Sequence, residues 1–405
     1  MYLNEKIAND TYYVGVNDRI KAKFENIIPI DRGVTYNSYL IVDEKVALID
    51  TVDICYSDLF IKKIHSQLND RSIDYLIINH MEPDHSSSIT LIRKYYPNIV
   101  IVGNTKTIGM VEGFYGLDDK MLEIKDGEVL SLGKHQLQFH FTPMVHWPET
   151  MMTFDITTNV LFSGDAFGSF GTLDGGVMDS EINVEKFWDQ MIHYYANVIG
   201  KYGSAVQKMM QKLTPLEIKI ICSTHGPIWK EYIDKTVDLY DSLSRYKGKD
   251  GVVIAYGSMY GNTEQMAEAV AKGLVSAGVK SVVMHNMAVS DTAVVLRDIF
   301  KYRGLIIGSP TYSNELHPEI DFLLKKIETR GIKNRDFGYF GSFTWSGVAV
   351  KKLAAFAQLM NWDTIDFTVE EKMGLKENNY QLCISLGKKM AEMLRKEQKQ
   401  FSVTK

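Results

Sequence analysis

Short apolar runs separated by polar turns recur along the first part of the chain and predict its strands. The runs VALID, DYLIIN, NIVIVG and KIIC predict buried strands at residues 46–50, 74–79, 98–103 and 219–222. The segment 136–143, QLQFHFTP, alternates polar and apolar residues and predicts a half-exposed strand. Helical patterns are found at 89–96 and 183–212. This mixture predicts a sandwich of two sheets flanked by helices.

A more regular alternation follows the polar segment SLSRYKGKDG at residues 242–251. Strands are predicted at 252–256, 282–286, 304–309, 338–343 and 365–369. Helices are predicted at 263–278, 292–300 and 350–360, with one more at the end of the sequence. This βαβ rhythm predicts a doubly wound parallel sheet of about five strands. The polar segment predicts a boundary between two domains, 1–248 and 249–405.

Composition narrows the class of protein. The 405 residues suggest two or three domains, and a net charge of −5 argues against a nucleic acid or an anionic membrane as partner. No run approaches the ~20 apolar residues of a membrane span, and MYLNEKIAND lacks the layout of a signal peptide. We therefore expect a cytoplasmic protein. Cys55, Cys222 and Cys383 form no CxxC pair, which argues against a rubredoxin-type or iron–sulfur module within the chain.

The hexapeptide HMEPDH concentrates strong metal ligands directly after the predicted strand DYLIIN. These ligands are His80, Glu82, Asp84 and His85. His146, Asp165 and His225 likewise follow strands or apolar runs. A single histidine or aspartate after a strand is more often a cap or a surface residue, and we interpret His135 and His140 as structural. Because four strand ends each deliver an acid or an imidazole, we expect them to converge on a metal site.

The pattern HxExDH, followed by H, D and H, resembles the metallo-β-lactamase fold, whose usual first motif is HxHxDH. Glu82 replaces the second histidine of that motif, although zinc sites of this type depend on imidazole. Together with Asp84 and Asp165 it gives three carboxylates among seven ligands, which favours iron. Seven ligands require two metals. Asp165 is the natural bridge, because one carboxylate can bind two ions ~3.5–4 Å apart.

The turn YGSMYGNTE at residues 256–264 joins a predicted strand to a predicted helix. A phosphate there would meet backbone N–H groups, the Ser258 and Thr263 hydroxyls and a helix N-terminus. No lysine follows the glycine, so the turn is not an ATP-binding P-loop. The alternative interpretation is a tight turn that only caps the helix.

Two later loops, 308–315 and 341–347, also follow strands, where ligands bind in doubly wound folds. Tyr312 and Trp345 could flank a planar isoalloxazine ring. The three loops together favour bound FMN over a simple capping turn. The predicted contacts are Ser258, Met259, Tyr260, Gly261, Asn262, Thr263, Pro310, Thr311, Tyr312, Asn314, Ser342, Phe343, Thr344, Trp345, Ser346 and Gly347.

The second half resembles flavodoxin, and the order of the two halves resembles that of the flavodiiron proteins, also called A-type flavoproteins. The resemblance spans nearly the whole chain. It implies an α/β fold, with an N-terminal metallo-β-lactamase-like αββα sandwich followed by a flavodoxin-like doubly wound parallel sheet. It implies one iron held by His80, Glu82 and His146, a second held by Asp84, His85 and His225, and Asp165 as their bridge. In some family members water displaces the counterpart of His85. We expect the glycine- and phenylalanine-rich loop 166–176 to line the pocket of the metal site.

The same resemblance implies a reductase of dioxygen to water, of nitric oxide to nitrous oxide, or of both. The electrons would pass from an external donor through FMN to a di-iron centre, and the donor would be a separate rubredoxin or reduced coenzyme F420. It also implies a head-to-tail homodimer or a dimer of dimers. Two other functions stay open. One is a zinc metallo-hydrolase with an appended flavodoxin domain, which Glu82 disfavours. The other is a pure electron carrier, which the full ligand set disfavours.

Overall fold

The computed structural model describes residues 4–402 of the chain, with side chains as far as residue 396. The chain divides into two compact units between Ser244 and Arg245, inside the polar segment 242–251. Both units combine helices and strands, which confirms the α/β class. Within the described residues, no helix has the length and hydropathy that a bilayer span requires.

Two larger sheets form the framework of the first unit. Its strands in chain order are β1 (Glu5–Ala8), β2 (Thr11–Tyr13), β3 (Val16–Asp18), β4 (Lys23–Phe24), β5 (Ile28–Pro29), β6 (Val34–Tyr36), β7 (Tyr39–Val42), β8 (Val46–Ile49), β9 (Tyr75–Ile77), β10 (Val100–Gly103), β11 (Met121–Glu123), β12 (Val129–Ser131), β13 (Gln136–Phe141), β14 (Met151–Asp155), β15 (Val160–Gly164) and β16 (Ile220–Ser223). One sheet has the order β1-β2-β7-β8-β9-β10-β11 and the other has the order β12-β13-β14-β15-β16. Strands β8 to β11 run parallel, so their carboxyl ends lie at one edge of the sheet.

Helices connect and cover these strands. They are α1 (Ser57–Leu68), α2 (Pro83–Ser86), α3 (Ile89–Tyr95), α4 (Thr105–Tyr115), α5 (Glu185–Tyr194), α6 (Gly203–Leu213) and α7 (Ile233–Ser244). Helix α4 shows how the sequence sets their ends. The Asn104 side chain accepts hydrogen bonds from the Lys106 and Thr107 N–H groups at its start, and Gly116 ends it in a left-handed conformation with φ 63°.

The predicted elements of the first unit are confirmed with one correction. The predicted strands are β8, β9, β10, β13 and β16, and the helix at 89–96 is α3. The helical pattern at 183–212 is not one helix, because a π-helical turn (Tyr195–Ile199) and a 3-10 turn (Gly200–Tyr202) separate α5 from α6. Gly200 weakens a regular helix at this point. The Asn197 side chain also donates to the His193 carbonyl at 2.9 Å, and so competes with the backbone N–H groups for that carbonyl.

The second unit is a doubly wound parallel sheet with helices. Its elements are β17 (Lys249–Tyr256), α8 (Asn262–Ser276), β18 (Val282–Asn286), α9 (Thr292–Lys301), β19 (Tyr302–Pro310), α10 (Pro318–Thr329), β20 (Asp336–Phe343), α11 (Ala349–Met360), β21 (Asp363–Thr364), β22 (Val369–Lys372) and α12 (Glu377–Ser402). The strand order is β18-β17-β19-β20-β21, with β22 also paired to β20, and every pair is parallel. This is the flavodoxin-like order.

The strand predicted at 365–369 is wrong for most of its length. The last edge of the sheet is two short strands, β21 and β22, and only Val369 of the predicted segment belongs to either. On β20 the pairing advances three residues, from Phe337 to Phe340, while the edge strand advances five, from Thr364 to Val369. Two extra residues therefore leave the ladder, as in a β-bulge.

Candidate metal and flavin sites

Four of the predicted metal ligands form one buried group in the first unit. His80 and Glu82 follow β9, His146 lies between β13 and β14, and Asp165 follows β15. Ligand atoms of all four lie within 4.8 Å of one another. The His146 Nε2 atom is 3.1 Å from Glu82 Oε2 and 3.1 Å from Asp165 Oδ2. This group could hold one metal ion.

The other three predicted ligands form a second buried group, Asp84, His85 and His225. The one-turn helix α2 places Asp84 and His85 side by side, and His225 follows β16. Asp84 Oδ2 is 3.3 Å from the Nε2 atom of each histidine. This group could hold a second metal ion.

Asp165 faces both groups. Its Oδ2 atom is 3.1 Å from His146 Nε2, and its Oδ1 atom is 3.0 Å from His85 Nε2 and 3.6 Å from His225 Nε2. The Thr224 hydroxyl donates to Oδ1 at 2.6 Å. The structure therefore brings all seven predicted ligands together, with Asp165 in the position of a bridge.

The hydrogen bonds of two histidines fix which nitrogen is free for a metal. His80 Nδ1 lies 2.8 Å from Glu149 Oε1, and His225 Nδ1 lies 2.6 Å from the Thr35 carbonyl oxygen. Because these partners accept, the Nδ1 atom of each ring donates its hydrogen to them, which leaves the Nε2 atom of each ring to face the cluster. Those Nε2 atoms are buried and have no hydrogen-bond partner among the described residues. This is the arrangement that a ligating histidine requires, so the residues fit metal ions.

The charges of the cluster are coupled. Despite burial, hydrogen bonds to Asp165 and Glu82 raise the pKa of His146 to about 9. Burial would also lower the pKa of His85, but Asp84 and Asp165 outweigh it and raise that pKa to about 9. His85 and His80 in turn hold the pKa of the buried Asp165 carboxyl well below its ordinary value. A bound cation would replace the protons on these imidazoles, because a histidine ligand must be neutral.

Aromatic side chains surround the second group. The Phe24 and Tyr194 rings each lie 5.4 Å from the His225 ring, centroid to centroid, and Phe170 packs against both, at 5.3 Å and 5.1 Å. Phe170 belongs to the loop 166–176 that we expected to wall the pocket. Gly226, with φ 76°, lets the chain pass Ser169, whose hydroxyl would collide with a side chain there.

Sequence reasoning missed two carboxylates near the cluster. Glu149 is fully buried and holds His80, yet its partner lies 69 residues away, so no local spacing pointed to it. Glu25 lies at the tip of the β4–β5 turn, where desolvation and the neighbouring Glu82 raise its pKa to about 7. The φ of Glu25 is 48°, a conformation that glycine usually adopts, so the sequence does not predict a turn that places glutamate at this position.

The flavin loops of the second unit enclose a cleft of about 190 Å³. Ten predicted contacts line it: Ser258, Met259, Tyr260, Asn262, Thr263, Pro310, Thr311, Ser342, Phe343 and Thr344. Met373 and Gly374 line it as well and were not predicted. The Thr263 and Ser342 hydroxyls lie 2.9 Å apart, so two of the three loops meet inside the cleft. The cleft lies at the carboxyl ends of β17, β19 and β20, as expected for a ligand site in this fold.

The remaining predicted contacts lie outside this lining. They are Gly261, Tyr312, Asn314, Trp345, Ser346 and Gly347. Gly261 has a backbone role, since it precedes α8 in a left-handed conformation with φ 88°. Among the lining residues, the Thr311 hydroxyl also caps α11 by accepting from the Val348 and Ala349 N–H groups. All sixteen flavin contacts stay predictions.

Two family models match the chain. One is described as ODP family beta lactamase and matches residues 34–226, and the other is flavodoxin and matches residues 254–385. The chain is also 31% identical over 392 residues to an anaerobic nitric oxide reductase flavorubredoxin of Enterobacter sp. (strain 638), which covers 95% of this chain and 81% of that relative.

Solved structures agree over nearly the whole chain. The rubredoxin:oxygen oxidoreductase of Desulfovibrio gigas has a TM-score of 0.92 at 29% identity, over 97% of this chain and 99% of that one. The flavodiiron protein of Giardia intestinalis has a TM-score of 0.91 at 27% identity, over 98% of both chains. These similarities imply FMN and a di-iron centre, the two cofactors predicted from the sequence. The chain therefore belongs to the flavodiiron proteins.

Proposed function

We propose that this flavodiiron protein reduces dioxygen to water, nitric oxide to nitrous oxide, or both. The observation that carries the proposal is the position of Asp165, whose two oxygens face two groups of metal ligands. Reduced FMN and two ferrous ions together hold four electrons, enough to convert one dioxygen to two waters, and two electrons suffice to couple two nitric oxides. The names of the Enterobacter relative and the Desulfovibrio structure support one gas each.

The residues of the chain contribute position and shielding. Glu82 and Asp84 each supply a carboxylate to one metal group, and Asp165 supplies one to both, which suits iron better than zinc. Phe24, Phe170 and Tyr194 form an apolar wall beside His225, which would limit water at the metals. Residues 1–248 would form the metal domain and 249–405 the FMN domain, with the sixteen predicted contacts around the flavin.

The donor in this proposal is a separate protein or coenzyme. The Desulfovibrio structure is named for rubredoxin, which supports rubredoxin as the donor. Reduced coenzyme F420 is the alternative donor. The cytoplasmic location expected from the sequence stays a prediction.

The working unit in this proposal is a head-to-tail homodimer in which each flavin serves the partner's irons. An Asp165→Asn chain, which loses its bridge, and a chain with Ser258→Val and Thr263→Val, which loses its flavin, should each be inactive alone. If they are unfolded and refolded together, half of the dimers should be mixed, each with one working pair, so about a quarter of the activity should return. Inactive mixed dimers would mean that flavin and irons pair within one chain.

Turnover of each gas, added in turn to protein and donor that were prepared without oxygen, tests the reaction itself. We expect protein made in iron-rich medium to contain two irons and one FMN per chain, and to consume dioxygen, nitric oxide or both when a chemically reduced donor is supplied. Asp155→Asn is the matched control for Asp165→Asn. It also neutralises a buried carboxylate, but Asp155 contacts His135 and no predicted metal ligand. It should leave turnover unchanged. Two zincs, no iron and hydrolytic activity would establish the metallo-hydrolase alternative instead.

A further inference from the structure

Each metal group contains one histidine that is oriented by a hydrogen bond from its Nδ1 atom, and the acceptor differs between the two groups. His80, in the first group, has a carboxylate partner, because its Nδ1 atom lies 2.8 Å from Glu149 Oε1. His225, in the second group, has a neutral partner, the Thr35 carbonyl at 2.6 Å. Both partners fix the ring, but only the first adds a negative charge.

Glu149 is itself held firmly. Its side chain is fully buried, and its Oε1 atom also accepts from the Met81 N–H at 3.0 Å. Its backbone carbonyl accepts from the Asn104 side chain at 2.6 Å, and Asn104 is the residue that caps α4. The Met81 N–H therefore holds the carboxylate, and Asn104 holds the backbone that carries it.

A carboxylate partner changes the histidine that it orients. It polarises the Nδ1–H bond and makes the Nε2 lone pair a better donor to a cation. A carbonyl partner does this less, because it carries a dipole and no net charge. The Nε2 atom of His80 faces Glu82 and Asp165, at 3.4 Å and 3.5 Å, so the effect falls on the first group.

We propose that Glu149 is a positioning residue that makes the two metal subsites unequal. The group of His80, Glu82, His146 and Asp165 then binds the first divalent cation, and the group of Asp84, His85 and His225 binds the second, more weakly. This inference rests on the proposed two-metal site and does not depend on which gas is reduced.

Titration of the demetallated full chain with Co²⁺ alone tests the inference, because the visible spectrum of Co²⁺ reports its coordination. The unaltered protein should bind two ions in two resolved steps. In Glu149→Gln the amide oxygen can still accept from His80 and Met81, so the ring stays oriented while the charge is lost. The first step should then weaken about 10–100-fold, and the second step should not change.

The matched control is Asp155→Asn, at a pair with the same chemistry away from the metal ligands. His135 Nδ1 lies 2.7 Å from Asp155 Oδ2. This variant should melt at a lower temperature and keep both Co²⁺ steps. An unchanged first step in Glu149→Gln, or an equal weakening of both steps, would overturn the inference. Fewer than two Co²⁺ bound by the unaltered protein would instead overturn the proposed two-metal site.

A measurement on the unaltered chain covers the case in which Glu149→Gln does not fold. With one equivalent of Co²⁺, hydrogen exchange at the histidine ring carbons can be followed by mass spectrometry. Exchange should slow first at His80 and His146, and should slow at His85 and His225 only with the second equivalent. Equal slowing at all four rings, or slowing at His85 and His225 first, would refute the order of binding.

Discussion

The metal cluster and the flavin loops hold their functional side chains in opposite ways. Every predicted metal ligand is buried, and His80 and His225 are each fixed by a further hydrogen bond. Around the flavin cleft, Tyr260 is 96% exposed and Trp345 is 86% exposed. The predicted metal ligands therefore lie in the protein interior, whereas the largest side chains predicted to contact the flavin lie on the surface.

The difference follows from what each ligand requires. A metal ion needs several donors at short, fixed distances, and buried carboxylates are costly unless each is paired. The cluster therefore depends on a complete network. A flavin phosphate can use backbone N–H groups at a helix N-terminus, and its ring can use stacking surfaces. We therefore expect single substitutions to be severe at the metal cluster and more graded at the flavin loops.

Asp165→Asn should have the largest effect, because this residue faces both metal groups. Its oxygens lie close to His146 and His85, and an amide cannot supply two anionic donors. Iron content should fall to near zero, and gas reduction should fall by more than about 100-fold, beyond the loss typical of an outer hydrogen-bond partner. Elemental analysis and turnover measure both. A variant that keeps two irons would contradict the bridging role.

Glu82→His should change which metal is bound. The Glu82 Oε2 atom lies 3.1 Å from His146 Nε2, so an imidazole there would complete a set richer in nitrogen. That set favours zinc over iron, and gas reduction should be lost. Elemental analysis of protein grown with both metals measures the preference. Reduction of gas at the parent rate would show that Glu82 does not select iron.

The double change Ser258→Val and Thr263→Val should weaken FMN without affecting iron. The Ser258 hydroxyl oxygen accepts from the Gly261 N–H at 3.2 Å, which leaves its hydrogen free for a phosphate oxygen. A hydrogen bond to a charged group contributes about 1.5–3 kcal/mol, so the pair should cost two or more decades of affinity. Fluorescence titration of the flavin-free chain measures this. Thr329→Val removes an exposed hydroxyl on α10 and is the control. Equal FMN affinity in all three proteins would show that the Ser258 and Thr263 hydroxyls do not bind the phosphate.

Much of this organisation was predictable from the sequence, because it is expressed in local patterns. The motif HMEPDH and the strand before it placed four predicted ligands at one strand end, and helix α2 holds Asp84 and His85 there. The βαβ alternation of the second unit likewise gave the parallel sheet and the position of the cleft. These features depend on residues that are close in the sequence, so the spacing of apolar and polar residues is enough to predict them.

The features that were missed depend on distant partners or on small departures from a pattern. Glu149 is meaningful only beside His80, and Met373 reaches the flavin cleft because its carbonyl accepts from the Asn262 side chain, 111 residues earlier. The break after α5 and the two extra residues before β22 interrupt patterns that continue in the sequence. Helix α10 is an exception: no helix was predicted there, although its buried residues have a helical spacing that would have allowed the prediction.

The smallest effect is expected at a buried histidine and carboxylate pair without a metal, His135 and Asp155. The hydrogen bond that His135 donates to Asp155 raises the pKa of His135, against the effect of burial, and the nearby Asp43 and Asp10 carboxylates raise it further. A histidine whose pKa is higher in the folded state than in the unfolded state stabilises the fold below about pH 6.5, and this contribution is lost as the pH rises through the folded value.

His135→Gln keeps a donor but cannot be charged, so it should lower the melting temperature most in acid. A hydrogen bond to a charged group is worth about 1.5–3 kcal/mol, and the difference between the two proteins should narrow as the pH is raised from 5.5 to 8.5. Calorimetry of the metal-free chains measures this without the competing titration of bound metal. A difference that stays constant, or grows with pH, would show that His135 is neutral in the folded protein.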